Sequence, residues 1–282
     1  MQRRALLCTL GSTVLTGCQI GLDAPESDPS TGRGKSPECA ALGEQIGDGI
    51  SVSNASVQTS VRRRTTPDSY DIYAPADTQF LFVEVDAAGL TTPPPISAFS
   101  LHLDERSFDP AVELDGVGIR SLVHGTPAYN PPSATESRSS GFLVFALPMG
   151  HEPVEGWIAV ESERDEVPSA RWVFTDRELA AVAPPYPDLE LVSLDVPRTV
   201  SEDRLPLGMV IRNTGGASGV FRAAINHMGP FYAAEAWDIP VAAGETTEDA
   251  HAISYDWGSS GEVRFKVVWP DGGRIETVQV NG

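Results

Sequence analysis

The feature that most constrains this chain is the period of its apolar residues, which repeats every second position in short runs. Leu205, Leu207, Met209 and Ile211 share one phase; so do Phe221, Ala223 and Ile225, then Trp237, Ile239 and Val241, then Val263, Phe265, Val267 and Trp269. Earlier in the chain Phe80, Phe82 and Glu84 alternate with Leu81, Val83 and Val85, and Phe99, Leu101 and Leu103 alternate with polar residues. Phe142–Leu147, Trp157–Val160 and Ala170–Phe174 are denser runs of the same kind. Short runs rich in β-branched and aromatic residues, bounded by Gly, Pro, Asn and Asp, read as strands. No segment sustains a 3.6-residue apolar period long enough for a substantial core helix. The expectation is an all-β chain of antiparallel sandwiches.

One short helix interrupts this pattern. Thr175-Asp-Arg-Glu178 has the spacing of a capping box ahead of Leu179–Val182. Pro184 and Pro185 stop what starts there, so a single turn followed by Ala183–Pro187 predicts a stiff junction. Turns are expected at Asn213-Thr-Gly-Gly216 and, as a hairpin, at Asp271-Gly-Gly273. The resulting division is a signal peptide over 1–17, a flexible linker over 18–45, a first sandwich over 46–176, a Pro-rich junction over 177–186 and a second sandwich over 187–282. Each sandwich is long enough to bury its own core.

The first eighteen residues carry an address. Arg3 and Arg4 precede an apolar run from Ala5 to Gly17, too short to span a bilayer, and the run closes on Leu15-Thr16-Gly17-Cys18. This order resembles a lipoprotein signal, which implies that Cys18 becomes the lipidated N-terminus. The paired Arg3 and Arg4 resemble a twin-arginine export signal. Residues 19–38 are rich in Asp, Glu, Pro, Ser and Gly and cannot bury enough apolar surface to order themselves, so they read as a tether. The expected location is the extracellular face of the cell membrane.

Charge is the second strong signal. The chain has 39 acidic and 20 basic residues, a net of −19, and removing residues 1–17 with their two arginines takes it to −21. Only Lys35 and Lys266 are lysines. Acidic excess with few lysines resembles exported proteins of extreme halophiles, the haloarchaea in particular. At ~1 M salt the Debye length is ~3 Å, so such a surface hardly repels itself; in dilute buffer the same charge destabilises the compact state. Nucleic acid, which needs a basic stripe, is excluded as a partner. Cys8 leaves with the signal and Cys18 is lipidated, which leaves Cys39 and no intrachain disulfide.

Pro187-Asp-Leu-Glu-Leu-Val-Ser-Leu-Asp-Val-Pro197, the Asn213-Thr-Gly element and Val241-Ala-Ala-Gly-Glu245 together resemble a CARDB-type domain, the cell-adhesion-related Ig-like module of prokaryotic surface proteins. The resemblance covers about 187–282, and its Asn-Thr-Gly piece fits a tight turn because both Asn and Gly tolerate positive φ. Thr78–Val85, Phe99–Asp104 and Ser140–Pro148 are similar to Ig-like domains of exported lipoproteins, departing from them at Asp86-Ala-Ala-Gly89. Both resemblances imply binding, spacing or scaffolding, and neither brings a catalytic motif.

The titratable residues agree with that. His102, His124, His151, His227 and His251 have no other histidine or cysteine at metal-ligand spacing, and there is no Gly-x-Ser-x-Gly elbow. No metal, cofactor or catalytic residue is expected, and His102 is expected on a strand's outer face. Arg62-Arg63-Arg64 is the one basic cluster: a contact for anionic headgroups or an acidic partner, or a solvated strand end paired with acids such as Asp68 and Asp71. Asn54-Ala-Ser56 is an N-glycosylation acceptor triplet. Trp237 and Trp269 share phase with core residues, while Trp257 is expected at the surface.

The expected function is a lipid-anchored, non-enzymatic surface module that binds, adheres to or scaffolds an envelope protein or polymer. The alternative is an accessory lipoprotein presenting a small ligand to a membrane transport complex. A concave pocket between the domains, lined by aromatics and a few converging polar groups, would favour that alternative.

Overall fold

The computed structural model describes residues 37–47, 49–130, 138–161, 169–200, 204–228, 232–254 and 261–281. Cys18, Arg3, Arg4 and Trp257 lie outside the described residues. The fold is all-β, as the period-two pattern requires. In the first half the strands are β1 (Glu38–Ala41), β2 (Gln45–Ile46), β3 (Ile50–Gln58), β4 (Val61–Thr66), β5 (Ser69–Tyr73), β6 (Thr78–Asp86), β7 (Phe99–Leu103), β8 (Arg106–Phe108), β9 (Glu113–Leu114), β10 (Val117–Gly118), β11 (Ser140–Pro148), β12 (Gly156–Val160) and β13 (Ala170–Val173). Helix α1 (Asp176–Val182) follows. The second half contains β14 (Leu189–Asp195), β15 (Thr199–Val200), β16 (Arg204–Asn213), β17 (Gly219–His227), β18 (Ala234–Val241), β19 (Thr246–Ser254), β20 (Gly261–Trp269) and β21 (Gly272–Val280).

Two sheets, ordered β1-β13-β12-β7-β8 and β11-β6-β3-β2, enclose the first core. Leu101, Leu143, Phe145, Ile158 and Trp172 fill it and are buried completely. The expected half-buried alternation fails on β6 and β11, which are buried on both faces. Phe80, Phe82, Phe142 and Val144 face away from that core into a second apolar cluster with Val61, Leu114, Ile119 and Leu122. Residues 109–130 cover this outer face, docking through Ala111 N–H to Val144 O and Tyr129 N–H to Phe142 O. That is why Phe142–Leu147 reads as a continuous apolar run.

The folded part begins earlier than the expected linker allowed. The composition of residues 18–45 reads as a flexible linker, yet β1 pairs in parallel with β13, and Trp172 Nε1 donates to Glu44 O at 2.9 Å. Cys39 is therefore an exposed strand residue opposite Arg171 rather than part of a loose linker. Helix α1 forms behind the anticipated Thr175–Glu178 capping box. It is longer than the expected single turn and packs Leu179 and Val182 into the first core, while Gln79 Nε2 caps Val182 O at 2.6 Å.

The second half packs β14-β16-β19 against β15-β21-β20-β17-β18. Apart from the short parallel pair β15–β21, its ladders are antiparallel, an order of Ig type. Leu205, Leu207, Met209, Ile211, Phe221, Ile225, Ile239, Phe265 and Val267 form its core in the phases read from sequence. Trp237 is buried and Trp269 packs against the same core, as expected. The hairpin turns one residue early, over Pro270-Asp271, with Trp269 paired to Gly272.

The Asn-Thr-Gly element works differently from its expected positive-φ turn. Asn213 is buried, and its Nδ2 donates to Ala217 O at 2.8 Å and Ala242 O at 3.1 Å. Its Oδ1 accepts from Asp188 N–H at 3.1 Å and Gly215 N–H at 3.0 Å. Gly215 is required by close approach, because a Cβ there would sit 2.3 Å from Tyr186 O. One side chain thus pins the β16–β17 turn to the chain entering β14 and to the β18–β19 turn.

Candidate functional site

The polar chemistry of the described residues gathers where the β4–β5 hairpin of the first half lies on β17, β18 and β20 of the second. Tyr70, Ile72, Ala224 and Val268 seal this contact apolarly. Asn226, buried on β17, substitutes for a neighbouring strand: Tyr70 N–H donates to its Oδ1 and its Nδ2 donates to Tyr70 O, both at 2.8 Å.

The arginine cluster anchors the hairpin, which corrects the expectation of a solvated strand end and leaves no free headgroup contact at Arg62 or Arg63. Arg62 is 5% and Arg63 7% exposed. Arg62 pairs with Asp238 and donates through Nη2 to Ala223 O at 3.0 Å, both in the second half. Arg63 pairs with Asp71 at 2.7 Å, as foreseen, and with Asp115 at 3.4 Å, while its guanidinium lies over the Tyr73 ring. Arg64 lies over Tyr70. Burial of a charge requires partners of this kind, and a sequence pattern cannot reveal partners more than a hundred residues away.

Beside the hairpin the two halves leave a concave groove of about 360 Å³. Tyr70, Asp71 and Thr65 form one wall, and Asn226, His227 and Lys266 the other, with Met228 and Tyr232 at the lip. Lys266 is one of only two lysines in the chain. Behind the groove, His227 Nε2 meets Glu235 Oε1 at 2.8 Å and His251 Nε2 meets Glu235 Oε2 at 2.9 Å. His251 in turn packs on the Trp237 ring, whose Nε1 donates to Asp249 Oδ2 at 2.6 Å. These two histidines, 24 residues apart in sequence, are brought together by the sandwich seam between β18 and β19. The two rings lie on opposite oxygens of one carboxylate, and no group of three metal-ligating side chains occurs among the described residues.

The remaining histidines have structural partners. His102 does face outward, but it stacks on Trp157 at 5.0 Å, with Arg171 over the same indole. Burial, then Arg171, holds its pKa below the usual histidine value, against an opposing effect of Glu161. His124 stacks on Phe82 at 4.5 Å, and burial depresses it likewise. His151 meets Asp104 at 3.1 Å, and the Val154 N–H holds the Asp104 carboxyl below its ordinary value. Asn54 is exposed at a bulge in β3 with φ 51°, its Nδ2 donating to Glu84 Oε2 at 2.6 Å.

No family model matches the chain, and no curated protein matches it. Solved structures with a slight likeness to the chain include a β-glucosidase from Erythrobacter marinus, 12% identical over 34% of this chain and 16% of that one, TM-score 0.28. A β-glucosidase from Listeria innocua in complex with glucose is 14% identical over 43% of this chain and 19% of that one, TM-score 0.28. A mutant of it in complex with laminaribiose is 15% identical over 58% and 22%, TM-score 0.27. The chain spans less than a quarter of each of these enzymes, and likeness this slight bears on neither its fold nor its activity.

Proposed function

We propose that the protein is a lipid-anchored module of the cell surface that binds or positions another envelope protein or polymer and catalyses nothing. Cys18 carries the anchor, Arg3 and Arg4 direct export, and the tether holds the sandwiches off the membrane. The CARDB-type resemblance of residues 187–282 supports an adhesive or scaffolding role. The observation that carries the reading is the fixed seam: Asn226 and Arg62 hold the hairpin of one half on the other. A groove whose two walls cannot drift apart is preorganised, which lowers the entropic cost of binding there.

The test is photo-crosslinking in intact cells at native salt, with the reactive residue placed at Tyr232, 68% exposed at the groove lip, or at Val154, 85% exposed elsewhere. Capture of a defined partner from Tyr232 and not from Val154 supports the reading. Equal capture from both, or none, contradicts it.

The groove also favours a second reading, an accessory lipoprotein presenting a small ligand to a membrane transport complex. Two tyrosines, a rare lysine and an amide converge on a volume of small-ligand size. Native mass spectrometry of protein purified from its own membranes would then show a retained small molecule, and a bare mass would argue against it.

A further inference from the structure

Two buried polar atoms of the first half face one small cavity. Gln79 lies on β6, 1% exposed, and its Nε2 donates at 2.6 Å to the carbonyl of Val182, the last residue of α1. A carbonyl only accepts, so this bond fixes which way the amide is turned. Its Oε1 then points away from that carbonyl, and no protein donor reaches it. His151, in the loop between β11 and β12, supplies the second atom. Its Nε2 is buried and lies 3.1 Å from Asp104 Oδ2, but no hydrogen bond is aligned on it. Gln79 and His151 both line a cavity of about 10 Å³, walled otherwise by apolar side chains such as Leu103, Phe108 and Leu147.

A buried acceptor left unpaired is costly, and buried polar atoms without a protein partner are met by ordered water. A volume of about 10 Å³ admits the centre of one water molecule and nothing larger. We propose that a single structural water sits here, donating one hydrogen to Gln79 Oε1 and bonded to His151 Nε2. Water serves both forms of the ring: it donates its second hydrogen to a bare Nε2 and accepts from Nε2–H. An anion would meet the negative end of the amide dipole. A hard cation such as magnesium would find one oxygen among apolar walls where it needs about six.

The water has a place in the architecture. Tyr186, in the Pro-rich junction, donates its hydroxyl to Val182 O at 3.3 Å and accepts from Gly150 N–H at 2.9 Å, which joins the end of α1 to the β11–β12 loop. Gln79, the water and His151 make a second bridge between the same two segments. The water therefore helps fix the direction in which residues 183–187 leave the first half, whatever the groove binds.

The test is a crystal structure of the parent chain and of His151→Phe at a resolution that shows ordered water, with ¹⁷O water relaxation dispersion on both in solution. The parent should show one density peak about 2.6–3.2 Å from both Gln79 Oε1 and His151 Nε2. His151→Phe keeps a flat ring and removes the nitrogen. There the peak should be gone with Gln79 still donating to Val182 O, and the dispersion should count one long-lived water fewer. No peak in the parent cavity overturns the proposal, and so does a peak ringed by several oxygens at about 2.0–2.6 Å, as a metal ion would give. A peak that His151→Phe leaves in place, or a dispersion equal in the two chains, overturns it as well. The parent peak alone decides the matter where the variant fails to fold.

Discussion

The side chain of Asn226 makes both hydrogen bonds that a neighbouring strand would make to Tyr70, one in each direction at 2.8 Å. A single amide thereby joins a hairpin of the first half to the sheet of the second. Asn226→Ala leaves the N–H and C=O of Tyr70 without partners in a partly buried contact, at a cost of about 2–4 kcal/mol. Chemical denaturation of the variant is expected to show a lower midpoint and two separated transitions, one per half. A single transition at the parental midpoint would mean that the clamp contributes nothing.

Gly215→Ala places a methyl where Tyr186 O and Asp188 N already lie, at 2.3 and 2.4 Å. Backbone cannot yield as a side-chain end can, so the loss should be about 1–3 kcal/mol. Asn213→Ala strands buried groups on three segments and should cost at least as much. Urea midpoints of both variants check this, and values within error of the parent would contradict it.

Stability should decline on acidification from near neutrality. Burial, then Arg222, sets the pKa of His124 below its ordinary value against the pull of Glu84, and His102 is lowered in the same sense. The unfolded chain takes up these protons near pH 6.5. From there down to the folded values it binds more protons than the folded chain, so stability falls with pH. Asp104 adds a second decline: its folded pKa is depressed, so its contribution is present above its unfolded pKa, near 3.9, and is lost as pH falls through the folded value. His124→Phe should flatten the slope of denaturation midpoint against pH between 6.5 and 5.5. An unchanged slope would remove His124 from this account.

Salt should matter more than for an ordinary secreted protein. With 39 acids against 20 bases, lowering salt to tens of millimolar lengthens the Debye length to tens of ångströms and should loosen the fold. Near-UV and far-UV CD spectra unchanged by that dilution would contradict the halophilic reading.

The period-two pattern made both sandwich cores legible, residue by residue in the second half. It misled on β6 and β11, because an outer layer of irregular chain over Phe80, Phe82 and Phe142 has no period of its own. The folded part reaches back before residue 46 because β1 and β2 are edge strands too short to show a period, and their order comes from partners such as β13 and Trp172. Arg62-Arg63-Arg64 was visible as a cluster, yet its meaning depends on Asp238 and Asp115, which the sequence separates widely. The same holds for His227 and His251, which meet on the two oxygens of Glu235. Contacts made across the seam belong to topology, and local pattern carries no record of them.

Fractionating cells that express Cys18→Ser beside the parent chain tests the account most directly. The parent should sediment with membranes and partition into detergent, while the variant should be released in soluble form outside the cell with its near-UV CD spectrum intact. A Cys18→Ser chain still held in the membrane fraction to the parental extent would contradict the lipid anchor and the stationary surface role built on it.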